Sequence, residues 1–171
     1  MKFRNVAGFG KRIEFWIIGQ MLKEGLDVYV PLVDDNAIDA VIRRADGSFV
    51  EVQIKARSEN VVEGDAALFS AIYHEPRNNY WFVFYAERLK TMWIMTSEEF
   101  ILASHQNKKG KNAGSRSIWL NGGRTDRTTG VYTEHILPKY ERFVATNFRR
   151  IANLGCEQTA RPVAVGAAAS N

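Results

Sequence analysis

The sequence contains a single cysteine, Cys156, in 171 residues. One cysteine excludes an internal disulfide framework and favours a reducing compartment. The three histidines, His74, His105 and His135, are far apart, and no C-x-x-C is present. We therefore expect no structural zinc site, and we interpret the histidines as surface or hydrogen-bonded residues.

Long hydrophobic runs are also absent, since none approaches the ~18 apolar residues of a membrane span. The short run FWIIG is too small for the core of a signal peptide, and Arg12 and Glu14 prevent its extension. We expect a soluble, cytoplasmic protein with no membrane partner. A hydrophobic content of 46% predicts one globular domain over residues 1–155, followed by a flexible tail at 156–171.

Positive charge is concentrated in one Gly/Asn/Ser-rich stretch, residues 104–130, which we predict to be a basic loop insertion. The stretch contains six basic residues and one acidic residue, Asp126, so its net charge is +5. The net charge of the remaining chain is −1. The basic residues are Lys108, Lys109, Lys111, Arg116, Arg124 and Arg127. Two interpretations are open: a loop that follows a phosphate backbone, or a solvated, mobile loop.

Periodicity and turn residues predict an α/β fold around a mixed sheet. Helix is expected from about Gly10 to Glu24, and strands at 26–33, 38–43, 49–56, 80–85 and 91–95. The 80–85 strand, YWFVFY, is expected to be covered on both faces. TSEEF predicts a short helix with Thr96 as N-cap and Glu99 in a capping box.

Three later segments are less regular. Residues 57–79 read as a short helix or an irregular crossover, and 130–136 as a strand. A final helix is predicted from Pro138 to about Asn153. Its inner face would carry Tyr140, Phe143, Val144, Phe148 and Ile151.

An acidic residue, Glu14, interrupts the apolar stripe of the first helix. At about 100° per residue, it falls near the centre of the apolar arc. The arc contains Ile13, Phe15, Ile17, Ile18, Met21 and Leu22. A buried carboxylate needs compensation by a basic partner, a raised pKa or a metal ion. The ion pair is the structural alternative to a functional role.

A second acid, Asp39, interrupts a predicted strand, where aspartate is unfavourable. A three-residue turn at 45–47 would pair Arg44 with Ser48 and place Asp39 opposite Gln53. An even-numbered loop would instead place Asp39 opposite Val52. We favour the odd loop because it keeps the apolar residues of both strands on one face: Ile38, Ala40, Ile42, Val50, Val52 and Ile54.

The stretch FVEVQIKAR alternates valine and isoleucine with Glu51, Gln53 and Lys55. Solvent exposure is one explanation for this polar face, and an active site is the other. With Asp39 and Glu14 nearby, the face would supply oxygen ligands that suit Mg²⁺ or Mn²⁺. Lys55 would orient a water or stabilise charge at a phosphate, which is the chemistry of phosphodiester hydrolysis.

This pattern resembles the PD-(D/E)XK nuclease superfamily, the fold of many restriction enzymes and Holliday-junction resolvases. The resemblance covers about Gly8 to Arg57, through GKRIEFWIIGQMLKEGLDVYVP, NAID and VEVQIK. It is greatest with small bacterial and homing-type nucleases whose third motif reads Q-x-K. It implies a three-layer α/β/α restriction-endonuclease-like core and a Mg²⁺- or Mn²⁺-dependent deoxyribonuclease.

The resemblance also implies a role for each motif residue. Asp39 would be the main metal carboxylate, Gln53 would occupy the (D/E) position, and Lys55 would be the motif lysine. Glu14 would be the helix acid, and the Ile54 backbone carbonyl would complete the metal ligands. Gln53 departs from the pattern because an amide has no charge and attracts a cation less than a carboxylate does.

Other residues are candidates for contact with DNA. Lys11 and Arg57 border the predicted site and would contact phosphate, with simple solvation as the alternative. Trp119 would be a base-stacking platform or a hydrophobic anchor for the basic stretch. Asp34 and Asp35 would either lie near the metal or solvate a turn.

Three functions are consistent with the sequence. The first is a metal-dependent endonuclease acting on DNA. The second is a nucleic-acid-binding module on a nuclease-like fold with weak or no catalysis, which Gln53 favours. The third is a protein-interaction or regulatory domain that uses the basic stretch as a docking arm. One predicted active site per chain means that cutting both strands requires a homodimer or two binding events.

Overall fold

The computed structural model describes residues 6–33 and 36–152, apart from the side chains of Val6 and Ala7. The helices are α1 (Val6–Lys23), α2 (Ser97–Ala103), a 3₁₀ helix (Pro138–Phe143) and α3 (Arg149–Ala152). The strands are β1 (Asp27–Tyr29), β2 (Ala40–Arg43), β3 (Phe49–Arg57), β4 (Leu68–Ile72), β5 (Tyr80–Ala86), β6 (Thr91–Thr96), β7 (His105–Gln106), β8 (Arg116–Trp119), β9 (Asn121–Thr125) and β10 (Tyr132–Ile136).

A five-stranded sheet in the order β1-β2-β3-β5-β6 forms the centre of the fold. β3 and β5 are parallel, and the other neighbours are antiparallel. The predicted mixed sheet is therefore confirmed. β1 lies at its edge, and Pro31 follows its end by two residues, a residue that sheets tolerate at edges.

Helix α1 packs on the face of the sheet that carries Val50, Val52 and Ile54. Its buried residues follow the predicted stripe, with Ile17 and Met21 fully enclosed. Phe15 and Leu22 were wrongly placed in that stripe, since each is 54% exposed. Both lie at the margin of the apolar arc. Whether a side chain at the margin is buried depends on how far the sheet extends beneath the helix.

Strand β5 is buried on both faces, as its continuous apolar sequence predicted. Val83 joins the cluster beneath α1, whereas Phe82 and Phe84 join a second cluster on the opposite face. That second face is covered by α2, by part of a small sheet and by the 3₁₀ helix. The capping box of α2, with Thr96 and Glu99, is also confirmed.

The basic stretch 104–130 is not the loop that we predicted, because it contains β7, β8 and β9. β8 lies between β4 and β7 in a three-stranded sheet, and β9 pairs with β10. The segment assigned to a helix or irregular crossover contains β4. β8 and β9 contain Arg, Ser and Gly, which are not typical of strands. β8 is held by backbone pairing with β4, a segment distant in the chain, which local propensity does not reveal.

The predicted final helix is also wrong. The chain forms the 3₁₀ helix, leaves helical geometry at Val144, and resumes at α3. Ala145 donates its backbone N–H to the Met92 carbonyl at 2.9 Å, so pairing with β6 replaces helix here. Val144 is exposed, whereas the other four predicted inner-face residues are buried. The predicted tail at 156–171 lies outside the described residues.

Within the described ranges, no helix is both long enough and apolar enough to cross a membrane.

Candidate functional site

The β2–β3 hairpin has the predicted odd register. Arg44 donates its backbone N–H to the Ser48 carbonyl at 2.8 Å, and Gly47 donates to the Arg44 carbonyl at 2.9 Å. Gly47 has a φ of 82°, which glycine adopts without strain. The ladder pairs Ala40 with Val52, and continuing it by one residue places Asp39 opposite Gln53.

Asp39 lies where the pairing of β2 with β3 ends. Its backbone N–H donates to the Val52 carbonyl at 2.9 Å, and its carboxylate accepts from the Ile54 N–H at 2.6 Å. Just before it, Ala37 has a φ of 57°, so the chain turns away from β3. The Asp39 carboxylate thus accepts the Ile54 N–H in place of the backbone carbonyl that a longer β2 would have supplied.

The polar face of β3 has three different environments. Glu51 forms an ion pair with Arg77, with 2.6 Å between Oε2 and Nη2. Gln53 is only 5% exposed and lies beside Phe82 in the sheet. Lys55 is half-buried. Simple solvent exposure therefore does not explain this face, and Glu51 is part of a salt bridge.

Glu14 is 8% exposed and forms an ion pair with Lys11 one turn earlier in α1. The structural alternative for this acid, a basic partner, is therefore present. α1 packs on the valine face of β3, whereas Gln53 and Lys55 alternate to the other face. Glu14 and these two β3 side chains therefore extend from opposite faces of the sheet. Their convergence on one metal ion stays a prediction.

Arg77 and Tyr80, which the sequence reading missed, hold the segment before Asp39. Arg77 donates to the Asn36 carbonyl at 3.0 Å, and the Tyr80 hydroxyl donates to the Ala37 carbonyl at 2.5 Å. The guanidinium lies 4.3 Å from the centre of the Tyr80 ring. Their sequence signals were weak: an arginine shortly before β5 and a tyrosine as the first residue of that strand. Asp34 and Asp35 lie outside the described residues.

Ser97 and His74 hold Arg77 in place through hydrogen bonds. Ser97 Oγ accepts from the Arg77 backbone N–H at 3.0 Å and lies 2.7 Å from His74 Nε2. Burial, followed by the positive charges of Arg77 and Arg116, lowers the pKa of His74 from 6.5 to about 4. His74 is therefore neutral at pH 7, and its ring packs against Phe82 and Phe100.

The predicted DNA-binding residues differ in their exposure and in their contacts. Arg57 donates to the Asp65 carbonyl at 3.2 Å, and Arg116 donates to the Ile101 carbonyl near the end of α2 at 3.2 Å, so both have structural contacts. Trp119 is 51% exposed and donates its indole N–H to the Gly64 carbonyl at 3.1 Å. The remaining candidates are exposed: Lys11, Lys108, Lys109, Lys111, Arg124 and Arg127.

Among the described residues, no group of three or more His, Cys, Asp and Glu side chains could hold a metal ion. The predicted ligand set contains only two carboxylates, with an amide and a backbone carbonyl. Mg²⁺ commonly keeps several waters and uses one or two protein carboxylates. The chemistry of the predicted donors therefore fits Mg²⁺, although their assembly around an ion stays a prediction.

No protein-family model matches the sequence, and no curated protein matches it. Among solved structures, a bacterial homing endonuclease, I-Ssp6803I, is similar, with a TM-score of 0.58 and 19% sequence identity. The match covers 92% of this chain and 100% of the endonuclease chain. At this identity the similarity shows the fold alone. The chain has a nuclease-like α/β fold.

Proposed function

We propose that the protein is a Mg²⁺- or Mn²⁺-dependent endonuclease that hydrolyses phosphodiester bonds in DNA, of the PD-(D/E)XK type with a Q-x-K third motif. One observation carries the proposal: the Asp39 carboxylate is held on the Ile54 N–H, directly across from Gln53. An aspartate at a strand end beside a Q-x-K strand is the arrangement that the motif requires. The shared fold with a homing endonuclease supports the same conclusion.

The proposed metal ligands are the Asp39 carboxylate, the Gln53 amide oxygen, the Ile54 backbone carbonyl and the Glu14 carboxylate. In a strand, the N–H and C=O of one residue point toward the same neighbour, so the Ile54 carbonyl lies on the Asp39 side of β3. All of these donors are hard oxygen atoms, as Mg²⁺ and Mn²⁺ prefer. Such an ion polarises a phosphoryl oxygen and lowers the pKa of a bound water.

Lys55 follows Gln53 by two residues and shares its face of β3. Its half-buried ammonium would orient the attacking water or stabilise the negative charge that develops on the phosphate. Lys11, exposed near the start of α1, would contact a neighbouring phosphate of the DNA backbone. The Lys11–Glu14 ion pair would place this cation beside the proposed ligand Glu14.

Binding without cleavage is the second candidate, and Gln53 is the observation that favours it. Replacing a carboxylate by a neutral amide removes one negative charge from a site that must attract a divalent ion. A site weakened in this way would bind DNA through its basic residues whether or not a metal is present. The two candidates differ in whether chelation of divalent ions abolishes the effect on DNA.

The test is cleavage of supercoiled plasmid with Mg²⁺, Mn²⁺ or EDTA. We expect nicking with either metal, none with EDTA, and none for Asp39→Asn or Lys55→Ala. Asp27→Asn and Lys23→Ala change the same charges at exposed positions and should cleave as the parent protein does. Cleavage that survives both Asp39→Asn and Lys55→Ala contradicts the proposal, and metal-independent binding without cleavage supports the second candidate.

A further inference from the structure

Strands β9 and β10 form a two-stranded ribbon whose faces differ sharply. The register pairs Arg124 with Thr133 and Gly122 with His135, which places these four residues on one face. Gly123 with Glu134, and Thr125 with Tyr132, form the other face. We refer to these as the outer and inner faces of the ribbon.

The inner face is attached to the chain that follows β3. Glu134 accepts the Gly64 N–H at 2.7 Å and pairs with Arg88 at 3.1 Å, and its side chain is only 7% exposed. The Tyr132 ring lies directly on Gly123, where any Cβ would overlap it. The ribbon is therefore fixed to the body of the protein along one side.

The turn at the end of the ribbon is held by Asp126. Its carboxylate accepts from the backbone N–H groups of Thr128 at 2.8 Å and Thr129 at 2.7 Å, and these bonds lower the pKa of Asp126. Its backbone N–H donates to the Val131 carbonyl at 2.9 Å. The only acid in the basic stretch is thus committed to turn geometry, and the ribbon ends in a defined conformation.

Among the described residues, no hydrogen bond or ion pair joins the side chains of the outer face to the body of the protein. Arg124, Thr133 and His135 are exposed, and the Thr133 hydroxyl donates to the Arg124 carbonyl at 3.3 Å. Arg127, in the turn, is also exposed. In the part of the chain that the structure describes, neither the Arg124 nor the Arg127 guanidinium has a hydrogen-bond or ion-pair partner. Two arginines are therefore available to an anionic partner.

The anchor of the ribbon also connects it to the candidate site. Arg57, two residues after Lys55 on β3, binds both the carbonyl and the carboxylate of Asp65. Asp65 is adjacent to Gly64, which binds Glu134 of the ribbon. A continuous set of contacts thus fixes the ribbon relative to the strand that carries Gln53 and Lys55.

We propose that the outer face of the ribbon enters the major groove of duplex DNA, with Arg124 contacting base edges and Arg127 contacting phosphate. The inference rests on the proposed function, because it identifies how the same site would select its DNA. A two-stranded ribbon fits the major groove, and arginine is the commonest reader of guanine there. The fixed conformation lowers the entropic cost of binding.

The test is selection of sequences from a randomised library of duplex DNA by the full chain carrying Asp39→Asn, in EDTA and at fixed salt. In that background, Arg124→Ala should lower affinity for the selected duplex about tenfold and remove the preference at one position. Arg124→Lys keeps the charge but not the two-donor geometry, so it should recover affinity without the preference. Arg43→Ala removes an exposed cation beside the β2–β3 turn and should change neither.

An unchanged preference and affinity in Arg124→Ala would overturn the proposal. An equal loss of affinity in Arg43→Ala, or a weaker binding with the preference intact, would also overturn it, because both indicate contact with phosphate alone. Thermal midpoints equal to that of the parent show that the variants are folded. Failure of the proposed function is distinguishable, since it appears as absent cleavage by the parent while Arg124 still controls selection.

Discussion

The Asp39 carboxylate accepts a hydrogen bond from the Ile54 N–H at 2.6 Å, across the point where β2 ends and β3 continues. This contact fixes the aspartate beside Gln53 before any ligand arrives. Because the Asp39 side chain is already in place, the binding of a ligand requires no reorganisation of it.

Gln53→Glu should make folding stability depend on divalent ions. The added carboxylate occupies a site that is 5% exposed, so it should lower the thermal midpoint in EDTA. Mn²⁺ should then raise the midpoint more than it does for the parent, because two carboxylates attract the ion. Gln106→Glu, at an exposed position in β7, should show no Mn²⁺-dependent gain. A Gln53→Glu protein insensitive to Mn²⁺ would contradict the ligand role of this position.

Tyr80→Phe should slow cleavage without weakening DNA binding. The variant removes the hydroxyl that holds the Ala37 carbonyl at 2.5 Å but keeps the ring beneath Arg77. We expect a loss of about 1 kcal/mol in the free energy of unfolding. Because the segment before Asp39 loosens, kcat should fall while KM stays constant. Tyr29→Phe, which loses only an exposed contact to Asp27, serves as the control, and an unchanged kcat in Tyr80→Phe would refute the positioning role.

His74 should make the protein less stable in acid. Its pKa is about 4 in the fold and about 6.5 when unfolded, so only the unfolded chain takes up this proton between those values. Stability from neutral His74 is fully present above pH 6.5 and is lost as the pH falls toward 4. His74→Phe should flatten urea-unfolding free energies over this window, whereas His105→Phe, at an exposed position, should retain the slope of the parent. Equal slopes in both variants would exclude His74 as the source.

Two glycines should respond in opposite directions to alanine. A Cβ at Gly123 would overlap the Tyr132 ring, so Gly123→Ala should destabilise the protein by roughly 1–3 kcal/mol. Adding Tyr132→Ala should recover part of that loss by removing the overlap. Gly19→Ala, in α1 with no atom within 4 Å of the new Cβ, should stabilise by about 0.5–1 kcal/mol. Chemical denaturation measures all three, and a neutral Gly123→Ala would show that the ribbon shifts freely.

Local sequence was sufficient where one short segment contains all the interactions that decide its structure. The hairpin register follows from a three-residue turn and alternating apolar residues, and the α2 capping box involves residues three apart. Strand β5 was recognised by its length and composition. In each case the chain needs little information from elsewhere.

Local sequence was insufficient where distant segments compete for the same backbone groups. Helix after Val144 gives way to pairing with Met92, and β8 in the basic stretch pairs with β4, which lies far earlier in the chain. The Glu51–Arg77 ion pair joins residues 26 apart in sequence. The helical wheel placed Glu14 correctly in a buried stripe but did not show that Lys11 would be its partner.

The sequence by itself determined the polar row on β3, the opposition of Asp39 and Gln53, and the mixed sheet, because these depend on strand periodicity and one turn. Only the tertiary structure decided that Glu51 pairs with Arg77 and that Tyr80 and Arg77 hold the segment before Asp39. It also decided that Arg124 and Arg127 lie on an anchored ribbon. These features are contacts between segments far apart in the chain. Their energy exists only after the chain has folded and brought those segments together.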